Sequence, residues 1–220
     1  MLIETEAFIL KKIEFGDYDF IGTFYTEKIG KISLLIKNAR KSKKRYLGKL
    51  EPFNLISLKI NYNNNDSKNI LNSIDKDTLT SKDLDKKVIV LSSLVNEYLD
   101  IFEIDEVSCI DSFILIKKFF IRGEENNLSF ALDSTIKFQV RYLKQLGLKP
   151  SKSELERIEG KKVNLNLHEL RHNDLLKAKL IKILVRFSEF HSGKEFNSTR
   201  YLELLWLKWK VLNLAEYPVV

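Results

Sequence analysis

The chain has 220 residues, is 44% hydrophobic and 30% charged, and carries a formal net charge of +7, a composition that excludes a disordered chain and leaves room for one large or two modest domains. Its single cysteine, Cys109, excludes an internal disulfide and a cysteine-rich zinc cluster. No apolar run approaches the ~18 residues of a membrane span, and Glu4 and Glu6 stand where a signal peptide carries basic residues, so a cytosolic protein with no membrane partner is expected.

The first ~80 residues alternate apolar and polar positions with β-branched and aromatic enrichment, the pattern of strands. Phe8 to Ile13 is the first strand. Gly16, Asp17 and Asp19 make a turn into Phe20 to Thr26, and Glu27 to Gly30 connects this strand to Lys31–Ile36. Phe53 to Tyr62 alternates again, Asn63, Asn64, Asn65 and Asp66 form a polar turn, and Asn69 to Ile74 closes the set. Five short strands with a long connection between the third and fourth suit a small closed barrel of the OB type, which leaves no sheet edge free.

That long connection is the most one-sided stretch of the chain. It reads KNARKSKKRYLGK, with Lys37, Arg40, Lys41, Lys43, Lys44, Arg45 and Lys49 cationic and no carboxylate among them. A loop held open by its own repulsion suits an anionic partner, and phosphate is the natural one, because each neutralised phosphate releases condensed counterions. A solvated surface segment has the same composition. Tyr46 lies inside the run and offers a ring for base stacking, as do Tyr25 and Tyr62 with their neighbouring lysines, although most aromatic residues of a small barrel fill its core.

From Ser81 onward the period becomes helical. Ser81 is placed as an N-cap and Asp83 in the first turn of a helix carrying Val88, Leu91, Leu94, Val95 and Leu99. A second helix is expected over Val107–Ile121, which puts Cys109 in an apolar stripe. A third runs over Phe130–Leu146 and stops at Gly147. Residues 151–166 read as polar and irregular. Asn173 to Phe190 is a further helix, and a last one is capped by Ser198 or Thr199 and carries Trp206 and Trp209 on one face. The expected architecture is α+β, an OB-type barrel over 1–80 and an all-helical domain over 81–220.

Catalytic patterns are sparse. His168-Glu169-Leu170-Arg171-His172 has the His-Glu-x-x-His order of a zinc hydrolase, but it stands at or before the expected helix start at Asn173, and the third histidine, His191, is more than a helix length away. Glu159-Gly160-Lys161 has the order of half a metal-dependent nuclease site, but without flanking strands its residues read as solvated loop. No Gly-rich phosphate cradle is present, and no cofactor is expected.

Several stretches, taken together in order and spacing, resemble the bacterial RecO recombination mediators nearly end to end. They are Gly16-Asp17-Tyr18-Asp19, Thr26, Gly30-Lys31, Lys37-Asn38-Ala39-Arg40 continuing to Lys44-Arg45, and Leu50 with Pro52 and Phe53. Tyr142–Pro150 resembles the end of that family's central helix, and His191-Ser192-Gly193 with Phe196-Asn197-Ser198 the stretch before its last helix. The resemblance implies an OB domain followed by a helical domain, and no catalysis. It further implies binding of single- and double-stranded DNA, annealing of complementary strands, contact with the single-strand-binding protein, and action with RecR in loading the RecA recombinase. Several members hold zinc through cysteines after the central helix; residues 151–166 contain none, so that site is not carried over. Two other readings stand beside this one: an OB-fold RNA-binding protein, and a metal-dependent hydrolase using His168, Glu169 and His172.

Overall fold

The computed structural model describes residues 1–46, 48–63, 69–79, 86–123, 127–163 and 166–202. The N-terminal part is a closed barrel of the OB type in the order β1-β2-β3-β5-β4, with β1 (Leu2–Phe15), β2 (Asp19–Thr26), β3 (Gly30–Ile36), β4 (Leu55–Asn61) and β5 (Ile70–Leu79). A short helix, α1 (Lys43–Tyr46), lies between β3 and β4. Closure depends on the length of β1. Its first half, Leu2 to Phe8, pairs antiparallel with β4, and its second half, Ala7 to Phe15, with β2. A register shift between Ile9 and Lys11 marks the change of partner, the usual way a strand bends to serve two sheets. This two-sided pairing explains why β1 extends well beyond the predicted Phe8–Ile13.

Period-two alternation fills the cylinder. Ala7 and Ile9 of β1, Phe24 of β2, Ile32, Leu34 and Ile36 of β3, Ile56, Leu58 and Ile60 of β4, and Leu71 of β5 form one buried cluster. Each large aliphatic side chain so buried contributes about 1.5–3 kcal/mol. Phe8, between Ala7 and Ile9, points to the other face of its strand.

The chain divides into two compact units, Met1–Asp83 with Tyr98–Ile121 and Leu84–Glu97 with Arg122–Val220. The passage from one to the other falls within α2 (Lys86–Phe102) and near the end of α3 (Ile110–Gly123). In the first unit the outward aromatic residues of the barrel are covered by α3. Phe8 lies 5.5 Å from Phe113 and 5.1 Å from Phe120 between ring centroids, Tyr25 6.2 Å from Phe113, and Phe53 6.0 Å from Phe120. Lys117 of α3 donates to the Glu6 carboxylate at 2.6 Å. The segment before α3 packs so closely that a Cβ on Gly30, whose φ is +84°, would overlap the Val107 carbonyl. Glycine is the residue that meets both conditions. Cys109 stands just before α3, half-buried, with its carbonyl accepting from the Phe113 N–H at 3.0 Å, so the stripe expected from Val107 begins three residues later.

The second unit contains α4 (Leu128–Gln145), α5 (Lys152–Glu159), α6 (Leu167–His172) and α7 (Asp174–Ser192). A buried lysine ties α4 to α7: Lys177 donates to Ser129 Oγ at 2.7 Å and pairs with Asp133 at 3.0 Å and Asp174 at 3.4 Å. A buried charge persists only when paired in this way. Glu97 accepts from the backbone N–H groups of Asn197 and Ser198 at 2.5 and 2.9 Å, which satisfies the first amides of the helical turn over 198–202.

Two expectations are corrected. Residues 152–159 are helical rather than irregular, because Ser151 accepts from the Glu154 N–H at one end and Gly160 takes the left-handed conformation at the other. Glu159 is not a solvated loop residue: its side chain is 3% exposed and accepts two hydrogen bonds from Arg186, at 2.8 and 2.9 Å. The expected Ser81 cap with Asp83, and Trp206 and Trp209, lie outside the described residues.

Candidate nucleic-acid interface

The basic stretch leaves β3 through a turn fixed at its first residues. Asn38 has a φ of +55°, a left-handed conformation that asparagine tolerates better than most residues. Its N–H donates to the Asp19 carboxylate at 2.7 Å, and the Arg40 N–H donates to the Tyr18 carbonyl at 3.0 Å. The start of the stretch is thereby bound to the β1–β2 turn. Ser42 then accepts from the N–H groups of Arg45 and Tyr46 as α1 forms.

The stretch is not held open by repulsion. Ala39, Tyr46 and Leu50 are buried in the same cluster as the strand residues of the barrel, so three apolar side chains spaced along the run anchor it. Asn54, itself buried, closes its far end by donating from Nδ2 to the carbonyls of Gly48 and Lys49 at 2.9 and 3.1 Å. These anchors leave cationic side chains on the outside. Lys37, Arg40, Lys41 and Arg45 are exposed and Lys49 is partly so.

Arg40 pairs with Glu14 at 3.3 Å on the surface, and Arg45 donates to the Asn72 carbonyl. Among the described residues, Lys37, Lys41 and Lys49 form no ion pair. Lys43 and Lys44 lie on α1, with side chains outside the described set. Five of the expected cations are therefore solvent-accessible on a stretch anchored to the barrel, and the other two lie on α1 within that stretch.

The aromatic expectations fare differently. Tyr46 is 5% exposed and belongs to the core. Burial raises its phenol above the ordinary tyrosine range, an effect the neighbouring Arg45 opposes. It is an anchor and not an exposed stacking ring, because the short helix turns it inward. Tyr25 is fully buried against α3, and desolvation raises its phenol further still. Tyr62 is half-buried and donates to the Glu106 carboxylate at 2.7 Å, a bond that raises its phenol. The ring beside the cations is Tyr18, which the sequence reading passed over. It is 45% exposed, and Lys41 Nζ lies 3.4 Å from its centroid.

The barrel also matches a known family. Residues 1–76 match the model for the recombination protein O N-terminal domain. The chain is 34% identical over 151 residues to a DNA repair protein RecO of Syntrophus aciditrophicus (strain SB), covering 67% of this chain and 57% of that one. It is 52% identical over 56 residues to a DNA repair protein RecO of Desulfatibacillum aliphaticivorans, covering 26% of this chain and 22% of the relative. A third DNA repair protein RecO, of Desulfosudis oleivorans (strain DSM 6200 / JCM 39069 / Hxd3), is 27% identical over 165 residues, or 70% of this chain and 62% of its own length. The chain belongs to the RecO family. The match spans 57% of the length of the first of these relatives and 22% of the second.

The hydrolase pattern gains a helix but no further ligand. His168 and His172 both lie on α6, which is separate from α7, with ring centroids 5.6 Å apart. Their motif therefore occupies a helical turn of its own, which was not expected, ahead of α7, whose cap at Asn173 agrees with the expected helix start. Glu169 accepts from Asn166 Nδ2 at 3.1 Å. Among the described residues, no group of three or more His, Cys, Asp or Glu side chains converges to hold a metal ion. No helix of the described residues is long and apolar enough to cross a membrane.

Proposed function

We propose that the protein is a non-enzymatic, cytosolic DNA-binding mediator of recombinational repair, which grips phosphates with the basic stretch on the barrel. The observation that supports this most directly is the anchoring of that stretch. Ala39, Tyr46 and Leu50 hold it on the barrel while Lys37, Arg40, Lys41 and Arg45 face outward. A cluster of cations fixed on a rigid platform neutralises a backbone without first paying the entropy of ordering a loop. The three relatives described above, each named DNA repair protein RecO, point the same way.

In this reading Lys37, Arg40, Lys41, Lys43, Lys44, Arg45 and Lys49 screen the charge of two complementary strands, which lowers the electrostatic barrier to annealing. Strands coated with single-strand-binding protein are the physiological substrate, RecR is the partner, and loading of RecA is the outcome. The test is annealing of complementary strands coated with single-strand-binding protein, with and without this protein. Acceleration by the unsubstituted protein, and its loss when Arg40, Lys43, Lys44 and Arg45 are replaced by alanine in a variant that melts normally, is the expected result. Equal rates with and without the protein refute the mediator reading, and an unimpaired quadruple variant refutes the basic stretch as its agent.

A further inference from the structure

The phosphate grip just proposed does not distinguish a single strand from a duplex, since both present phosphates. The geometry points to a second element that does: Tyr18, backed by Lys41, is a stacking platform for an unpaired base beside the basic stretch.

Several observations converge on Tyr18. It closes the β1–β2 turn, and its carbonyl accepts the Arg40 N–H at 3.0 Å, so the ring is carried by backbone that is also bound to the cationic stretch. Lys41 Nζ stands 3.4 Å from the ring centroid. That position covers one face with positive charge, leaves the rest of a half-exposed ring open, and holds the ring in place by cation–π attraction. An ammonium on one face draws electron density from the other, which favours stacking of an electron-rich base there.

Lys37 and Arg40 belong to the stretch whose backbone is bonded to the Tyr18 carbonyl, and both are exposed, so a strand that stacks a base on Tyr18 has cations of the same stretch to meet its phosphates. Of the carboxylates near the turn, Asp19 accepts from the Asn38 N–H and Glu14 pairs with Arg40, while Asp17, beside Tyr18, is exposed to solvent. The other tyrosines of the barrel considered for this role serve it less well. Tyr25 and Tyr46 are buried, and Tyr62 sits on the Glu106 carboxylate, which repels a phosphate chain.

Stacking on an aromatic side chain requires a base free of its partner, and it tolerates any base because every base has a π-face. Tyr18 therefore converts a general phosphate-binding surface into one that favours unpaired strands. The inference rests on the phosphate-binding reading of the stretch.

The test measures binding of the full chain to three fluorescent probes of equal length in one buffer: a single-stranded deoxyoligonucleotide, the same backbone with abasic sites throughout, and the duplex. Tyr18→Ala is expected to weaken binding to the intact single strand about five- to a hundred-fold, and to leave the abasic strand and the duplex within about two-fold. Tyr18→Phe is expected to behave as the unsubstituted protein. Because the Tyr18 carbonyl, not its side chain, receives the Arg40 amide, the turn survives the substitution, and a thermal melt verifies this. Equal losses on all three probes would show that the ring only positions Lys41, and no loss on any probe would show that it contacts nothing; either overturns the inference. Binding of the abasic strand and the duplex by the unsubstituted protein reports the phosphate grip alone, so failure of that reading is seen separately, as absence of binding to these two probes.

Discussion

Salt dependence gives the most direct count of the cations that meet phosphate. Replacing Lys37 and Lys41 together with alanine removes two exposed ammonium groups that form no ion pair among the described residues. Each phosphate neutralised on a single strand contributes about −0.7 to the slope of log affinity against log salt, so the double variant should lose about 1.4 from that slope. Between about 50 and about 200 mM salt, the fall in affinity should then be about seven-fold smaller than for the unsubstituted protein. Lys11 supplies the control. Its ammonium is exposed but already faces the Asp100 carboxylate at 3.2 Å, so Lys11→Ala should leave the slope unchanged. Arg40, paired with Glu14 at 3.3 Å, should fall between the two. Fluorescence anisotropy of a labelled oligonucleotide at several salt concentrations measures all four proteins. An unaltered slope in the double variant, or an equal change in Lys11→Ala, refutes the assignment of free cations to the basic stretch.

Three further outcomes follow from the packing. Gly30→Ala forces a side chain into the left-handed region and against the Val107 carbonyl, at a cost of about 2 kcal/mol or more, and should lower the melting temperature by roughly 4–8 °C in a calorimetric scan. Tyr46→Ala empties part of the barrel core and should destabilise by about 3–5 kcal/mol in urea titrations, whereas Tyr46→Phe keeps the ring and should bind DNA as before. A loss of binding in a fully stable Tyr46→Phe would refute the view of this residue as an anchor. Burial raises the phenols of Tyr25 and Tyr46 above their ordinary value of 10.0, so the folded form retains their protons where the unfolded form has lost them. Stability should be intact below that value and fall as pH rises above it, and Tyr46→Phe should blunt the fall; the denaturation midpoint at about pH 9 and about pH 11 tests the sign.

The barrel was legible because its information is local: alternation in Phe20–Thr26, Lys31–Ile36 and Phe53–Tyr62 reports which side chains face inward, whatever their partners. The reach of β1 was not, since its outer residues pair only because β2 and β4 lie on either side of it. The helix over 152–159 was missed because it buries little besides Leu155, so its apolar period is faint and its caps carry the signal. At the interface, the cations were plain from composition. Tyr46 was misjudged because its neighbours in sequence are charged, while Ala39 and Leu50, its partners in the core, hinted at an inward anchor. Tyr18 could have been found only by knowing that the β1–β2 turn and the start of the basic stretch share backbone hydrogen bonds. That proximity is a product of folding.

Because Ala39, Tyr46 and Leu50 root the positive segment in the interior of the cylinder, its cations keep their arrangement only while the strands hold together. A polyanion that binds this arrangement and not the unfolded chain also tightens the fold. Occupancy and thermal resilience are thus two readings of a single equilibrium, and a rise in melting temperature with added oligonucleotide reports how firmly the strand is held.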